Sequence, residues 1–184
     1  FLALAQLGEW HVIALRFPEA DALLEQALAL GRKRYGEESP QLFPVRQQQR
    51  DSLRNQWQVA RAMPMTEALL DDCITRLGAQ DATCIGERIA LARLHAHNGQ
   101  LERAEQTLRQ LLEDADTWTG KQKAYRTHAV LYDLSETLWL KGRLDEARET
   151  LERSLDYLRQ AEGGSGPHWD ADRGALALIL TDMG

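Results

Sequence analysis

Apolar residues recur every three or four positions along most of the chain, the spacing that stacks side chains on one face of an α-helix. The pattern is clearest from Leu131 to Leu155. Leu131, Leu134, Leu138 and Trp139 share one face, and Gly142, able to take positive φ, stands where that helix must stop. Leu144, Ala147, Leu151, Ser154 and Leu155 then make a second stripe, with Asp145 and Glu146 in the first turn, where a helix N-terminus favours negative charge. One helix pair of this size cannot bury both stripes, so the pattern predicts further pairs packed beside it.

The rest of the chain reads as copies of that pair. Leu4, Leu7, His11 and Leu15 form a first stripe, with Gly8 placed for close approach of another helix, and Ala20, Leu23, Leu24, Ala27 and Leu28 form its partner, opened by Pro18 in the first turn. Ser39 is the expected N-cap of a third helix whose first residue is Pro40. The second pair is the least regular: Leu53, Arg54, Trp57, Thr66, Leu70 and Cys73 lie 46 residues after Leu7, Gly8, His11, Ala20, Leu24 and Ala27. Pro64 marks its inter-helix turn, because the residue before a proline is pushed out of the helical region. Leu91, Ala92, His95, Gly99, Ala104, Leu108 and Leu111 restore the pattern, and Leu134, Ser135, Leu138, Gly142, Ala147, Leu151 and Ser154 repeat it. Thr119 and Gln122 have the spacing of a capping box. The glycine-rich stretch 163–166 is a joint, after which Pro167 restarts a helix carrying Arg173, Leu176, Ala177, Leu180 and Gly184. The units are 1–38, 40–79, 81–116, 119–162 and a partial 167–184, one domain that reads as a piece of a larger protein. Their spacings of 46, 38, 43 and 42 are irregular, and a bundle of unrelated antiparallel helices is the competing architecture.

Leu4, Leu7, Gly8, His11, Ala20, Leu24 and Ala27 sit at the mutual spacings of the tetratricopeptide repeat, W-x2-L-G-x2-Y followed by A-x3-F-x2-A, with Leu4 standing for Trp, His11 for Tyr and Leu24 for Phe. The YGEESP that closes a long second helix resembles the extended repeats of kinesin light chains, with Ser39 where their linkers carry His. The resemblance implies an all-α, TPR-like α-solenoid, a right-handed superhelix of antiparallel helix pairs whose first helices line a concave groove. Carried over by register, the groove residues are Glu9, Val12 and Ile13; Gln48, Asp51, Asn55 and Gln58; Arg93 and His97; and Tyr132, Glu136 and Trp139. Asn55 and Gln58 would hydrogen-bond a peptide backbone, Arg93 would pair with an acidic group, and Tyr132 and Trp139 would anchor apolar side chains. For Trp139 the alternative is core packing, and for Arg93 and Glu136 a solvated face with intrahelical pairs. Of the Lys and Asn that make the family's carboxylate clamp only Asn55 is present, and Asp51 repels a terminal carboxylate, so a mixed-charge or apolar segment is the expected ligand.

The resemblance therefore implies a non-catalytic protein–protein interaction module, the scaffold or sensor part of a larger signalling protein such as a bacterial kinase or transcriptional regulator. Two other readings stay open. One is a regulatory domain that binds a small molecule or signalling peptide and relays a conformational change. The other is self-association through the apolar terminal helices at Leu2 and Leu176 to Leu180.

Composition narrows this further. A net charge of -6 with both signs interspersed argues against nucleic acid as a partner. No run approaches the ~20 apolar residues that span a bilayer, which argues against a membrane role. Cys73 and Cys84, set among apolar helical positions without zinc spacing, are read as free buried thiols in a reduced, cytoplasmic setting. His95 and His97 are two apart on a helix and point to different faces, while His11 and His95 fall in core slots. No phosphate loop, nucleophile elbow or H-E-x-x-H helix occurs, so neither enzyme, cofactor nor metal is expected.

Overall fold

The computed structural model describes residues 1–119, 123–162 and 167–183. Gln122 of the expected capping box, the joint 163–166 and Gly184 lie outside the described residues. Within them the chain is all-α: α1 (Leu2–Ile13), α2 (Phe17–Tyr35), α3 (Phe43–Asn55), α4 (Val59–Leu77), α5 (Ala82–His97), α6 (Leu101–Asp114), α7 (Lys123–Leu140), α8 (Leu144–Glu162) and α9 (Pro167–Asp182). This is the expected fold class, an α-solenoid of helix pairs. Two compact units, residues 1–87 and 88–184, divide the chain within α5.

The four inter-helix turns share one construction. Leu15, Trp57, Gly99 and Gly142 each take positive φ, at 56, 59, 74 and 74°. In each, the next residue's N–H reaches back to a carbonyl five residues earlier: Arg16 to His11, Gln58 to Leu53, Gln100 to His95 and Arg143 to Leu138. This is the 6→1 bond of a Schellman-type helix end.

These turns correct the expected register of the second pair. They lie 42, 42 and 43 residues apart, where the apolar stripes suggested 46, 38 and 43. Ala20, Ala62, Ala104 and Ala147 fall at one slot and are all fully buried; Leu24, Thr66, Leu108 and Leu151 fall at the next and are likewise fully buried. Thr66 thus matches Leu24 rather than Ala20, and its buried hydroxyl donates to the Ala62 carbonyl at 2.8 Å. Pro64, expected at the turn, sits inside α4, where it removes only the N–H that would have bonded Ala60. A slip of four residues returns nearly to the same helix face, so the stripe alone cannot detect it.

The corrected register also accounts for an exchange of sizes. A Cβ on Gly8 would come within 2.8 Å of Leu24 Cδ2, so α1 and α2 touch there. In the second pair those two slots hold Arg50 and Thr66, a large residue for the small one and a small one for the large.

Two further expectations change. Ser39 makes no capping hydrogen bond, and Pro40 opens a short 3-10 turn, Pro40–Leu42, ahead of α3. Cys73 and Cys84 are not free thiols: they form a disulfide between the end of α4 and the start of α5, with Cα atoms 5.5 Å apart. Both cysteines lie where those helices meet, and a pairing between neighbouring helices leaves no trace in sequence spacing.

Candidate functional site

In the unit 1–87, a cavity of about 300 Å³ between α1 and α3 is lined by Phe1, Ala5, Glu9, Pro44, Val45 and Gln48, among others. Gln48 donates to Glu9 at 3.2 Å, while its own carbonyl oxygen is buried without a partner. Val12, expected in the groove, belongs instead to the core with Ala5, Leu24 and Leu28, whereas Ile13 is exposed.

The other candidates of α3 are engaged locally. Asp51 accepts from Arg50 Nε at 2.9 Å and lies 3.6 Å from Arg54. Asn55 is exposed and accepts from Arg54. Gln58 precedes α4 and is held by Gln56 and Arg61, at 2.9 and 2.6 Å. With the corrected register, Asp51 and Asn55 remain at groove positions, now those of Glu9 and Ile13, while the slots assigned to Gln48 and Gln58 pass to Pro44 and Arg54.

The strongest polar group of this unit escaped the sequence reading. Arg50 Nη1 donates to Glu87 at 2.7 Å and Gln47 to the other oxygen of Glu87 at 2.6 Å, with both charged side chains almost wholly buried. Complementary charges on the buried stripes of consecutive first helices were the available signal.

In the unit 88–184, Arg93 meets Asp133 in a bidentate pair, 2.9 and 2.8 Å, that ties α5 to α7. Its acidic partner thus belongs to this chain, and the pair is between helices rather than within one. His97 is partly buried and is the last residue of α5.

Tyr132, Glu136 and Trp139 do come together. With Ala175, Leu178 and Ile179 of α9 they line a pocket of about 170 Å³. Trp139 donates its indole N–H to Asp182 at 2.6 Å, which fixes the ring. No hydrogen bond or ion pair reaches Glu136 among the described residues, and burial, then the charge of Asp133, pushes its carboxyl up, with Arg93 opposing. Burial also raises the Tyr132 phenol, followed by Glu136, Asp172 and Asp133.

Next to this pocket His128, Ser154 and Asp172 form a buried cluster that the sequence reading did not single out. Both Ser154 Oγ, at 2.9 Å, and Asp172 Oδ2, at 3.4 Å, face the same ring nitrogen, His128 Nδ1. A nucleophilic triad needs serine and aspartate on opposite nitrogens, so this arrangement bonds α7, α8 and α9 together without activating Ser154. Cys73, Cys84 and Asp81 also lie within metal-ligating distance of one another, but the two sulfurs are spent on their mutual bond. No described helix is long and apolar enough to cross a membrane.

Two segments, residues 2–41 and 128–157, match family models of the tetratricopeptide repeat. No curated protein is significantly similar in sequence. Among solved structures, the putative kinesin light chain nearly identical TPR-like repeats of Podosopora anserina align with a TM-score of 0.71 at 22% identity, over 97% of this chain and 84% of that one. BtubC (BKLC) from P. vanneervenii aligns at 0.73 and 17% identity, over 97% and 70%. MamA AMB-1 aligns at 0.56 and 19%, over 98% and 88%. At these identities the likeness is one of fold.

Proposed function

We propose that this chain, a member of the tetratricopeptide-repeat family whose helix pairs fold like those of kinesin light chains, binds a peptide segment of a partner protein through side chains of its first helices. Tetratricopeptide repeats serve as protein–protein interaction scaffolds and are typically non-catalytic. The finer reading is that first helices supply the contacts, α3 in one unit or α5 and α7 in the other, and that the module is the scaffold or sensor part of a larger signalling protein. One observation carries it: Tyr132, Glu136 and Trp139, on one face of α7, line a single pocket with two aromatic walls. Aromatic side chains in partly enclosed sites are the usual energetic centres of interfaces.

The test is selection of a displayed random-peptide library on the intact chain, followed by calorimetry of the selected peptides. Peptides that lose affinity to Trp139→Ala or to Asn55→Ala support the reading. Equal affinity for all variants, or no selected peptide, overturns it.

A second reading has one observation in its favour. A cavity of about 380 Å³ beside the disulfide, lined by Pro40, Phe43, Pro44, Cys73, Arg76 and Leu77 among others, falls within the ~300–1,000 Å³ of small-molecule sites. A ligand-sensing domain would fill it. Saturable thermal stabilisation by a metabolite library, abolished by Pro44→Trp, would favour that reading over the peptide one.

A further inference from the structure

We infer that the pocket between α7 and α9 captures a basic side chain, the ammonium of a lysine or the guanidinium of an arginine, carried by the segment this module binds. The inference rests on the interaction-module reading and specifies the chemistry of its ligand.

Size argues first. At about 170 Å³ the pocket is well below the ~300 Å³ at which sites for whole small molecules begin, and it suits one side chain. Its walls argue next. Tyr132 and Trp139 stand two turns apart on α7 and both line the pocket, and the hydrogen bond from Trp139 to Asp182 holds the indole in place before any ligand arrives. Aromatic faces attract cations through the ring quadrupole, with Trp the strongest and Tyr close behind.

The charge at the pocket decides between occupants. Glu136 is a partly buried carboxylate with no hydrogen bond or ion pair among the described residues, so its charged form is poorly compensated. Arg93, whose charge opposes the rise of the Glu136 carboxyl, is bonded to Asp133 through both ends of its fork. Asp172 and Asp133 add negative potential, which joins burial and Glu136 in raising the Tyr132 phenol.

An acidic side chain or a terminal carboxylate entering here would meet Glu136 head on. An aliphatic side chain would fill the space and leave that carboxylate drier still. A cation pairs with it, and the gain is larger because the charge it meets was uncompensated. A divalent metal is a poor fit, since hard cations take six or more oxygen ligands and this pocket offers one carboxylate and the hydroxyls of Tyr132 and Ser135, the latter bonded to the Tyr132 carbonyl.

The experiment uses the whole 184-residue chain. Nine-residue Gly/Ser peptides bearing one central Lys, Arg, norleucine or Glu are titrated to about 10 mM, a range suited to a single-side-chain site with millimolar affinity. The readout is the indole N–H cross-peak of Trp139, assigned with Trp139→Phe, and free N-acetyl-lysine methylamide is run alongside. Expected are saturable shifts with the Lys and Arg peptides, none with norleucine or Glu, and at least a fivefold loss of affinity in Glu136→Gln. That variant keeps the shape of the side chain, and the dispersion of its spectrum reports its fold. Tyr132→Leu, which removes an aromatic wall and keeps the carboxylate, should weaken the Lys peptide independently.

The inference is overturned if no peptide moves the peak, if norleucine moves it as far as Lys, if Glu136→Gln binds like the wild type, or if the free lysine derivative binds better than the peptide. Library peptides that bind wild type and Glu136→Gln equally would sink the pocket and leave the module reading intact. A failed selection with a lysine peptide still titrating would do the reverse.

Discussion

The buried pair Arg50–Glu87 gives the sharpest test of how the unit 1–87 is held together. At 2.7 Å, with side chains 6% and 1% exposed, the gross attraction is about 6 kcal/mol at an effective dielectric of ~20. Desolvating two ions costs several kcal/mol each, so the net contribution of the intact pair is close to zero. The two single removals should differ. Arg50→Met strands Glu87 in the interior with only Gln47 as donor, and should cost about 3–5 kcal/mol. Glu87→Met leaves Arg50 its bond to Asp51 at 2.9 Å, a partner that reaches solvent, and should cost about 1–3 kcal/mol. The double variant, with two flexible apolar chains in place of two ions, should return to within about 1 kcal/mol of wild type, a large coupling energy. Urea unfolding by circular dichroism reads the cycle, and hydrogen exchange of the α3 amides assigns it to this unit. Single variants of equal cost that simply add in the double would refute the reasoning, because additivity means no stranded charge.

Three other outcomes follow from particular contacts. Burial alone would raise the Glu105 carboxyl, but hydrogen bonds from Lys141, Arg109 and Arg143 bring it down to about 2. With the folded value depressed, its stabilisation is present above the unfolded value of 4.5 and is lost as pH falls toward 2; acid titration of stability should show about 1–3 kcal/mol of loss there, flattened in Glu105→Gln. Reducing Cys73–Cys84, or Cys73→Ser with Cys84→Ser, should destabilise by about 2.8 kcal/mol, the chain-entropy value for a sequence separation of 11, seen as a lower urea midpoint without loss of helix content. Leu15→Gly should stabilise by about 0.5–1 kcal/mol in thermal melts, since an exposed leucine is held at φ 56 where glycine carries no Cβ penalty.

Sequence alone was enough for the helix pairs because their signals are local: small residues at Ala104 and Ala147, glycines at Gly99 and Gly142, apolar stripes between them. It misjudged the second pair because those local markers are replaced there. Trp57 takes the turn that Gly99 and Gly142 take elsewhere, Arg50 takes the slot of Gly8, and Pro64 sits inside a helix as a false stop signal. The stripe then fits equally well one helical turn later. That Tyr132, Glu136 and Trp139 share one face of a first helix was legible because the register of the fourth pair was right. The pairing of Arg93 with Asp133, of Arg50 with Glu87 and of the two cysteines was not, since each depends on which helix lies alongside, and periodicity carries no information about that.

The corrected register also explains why one acidic residue stands out. Glu9, Asp51, Arg93 and Glu136 occupy the same slot of successive first helices. Glu9 is met by Gln48 from α3, Asp51 by Arg50 of its own helix, and Arg93 by Asp133 from α7. Each polar group at that slot is therefore answered from within the fold, the exposed Glu9 as well as the partly buried Asp51 and Arg93. The position from which Glu136 would be answered is on α9, and there Ala175, Leu178 and Ile179 offer no donor. A structural role alone would favour a neutral or apolar residue at such a place, because an uncompensated carboxylate costs stability and contributes no packing. Glu136→Leu should then raise the melting temperature of the chain while abolishing the lysine-dependent shift of the Trp139 indole. A melting temperature that falls would mean that Glu136 supports the fold rather than a ligand.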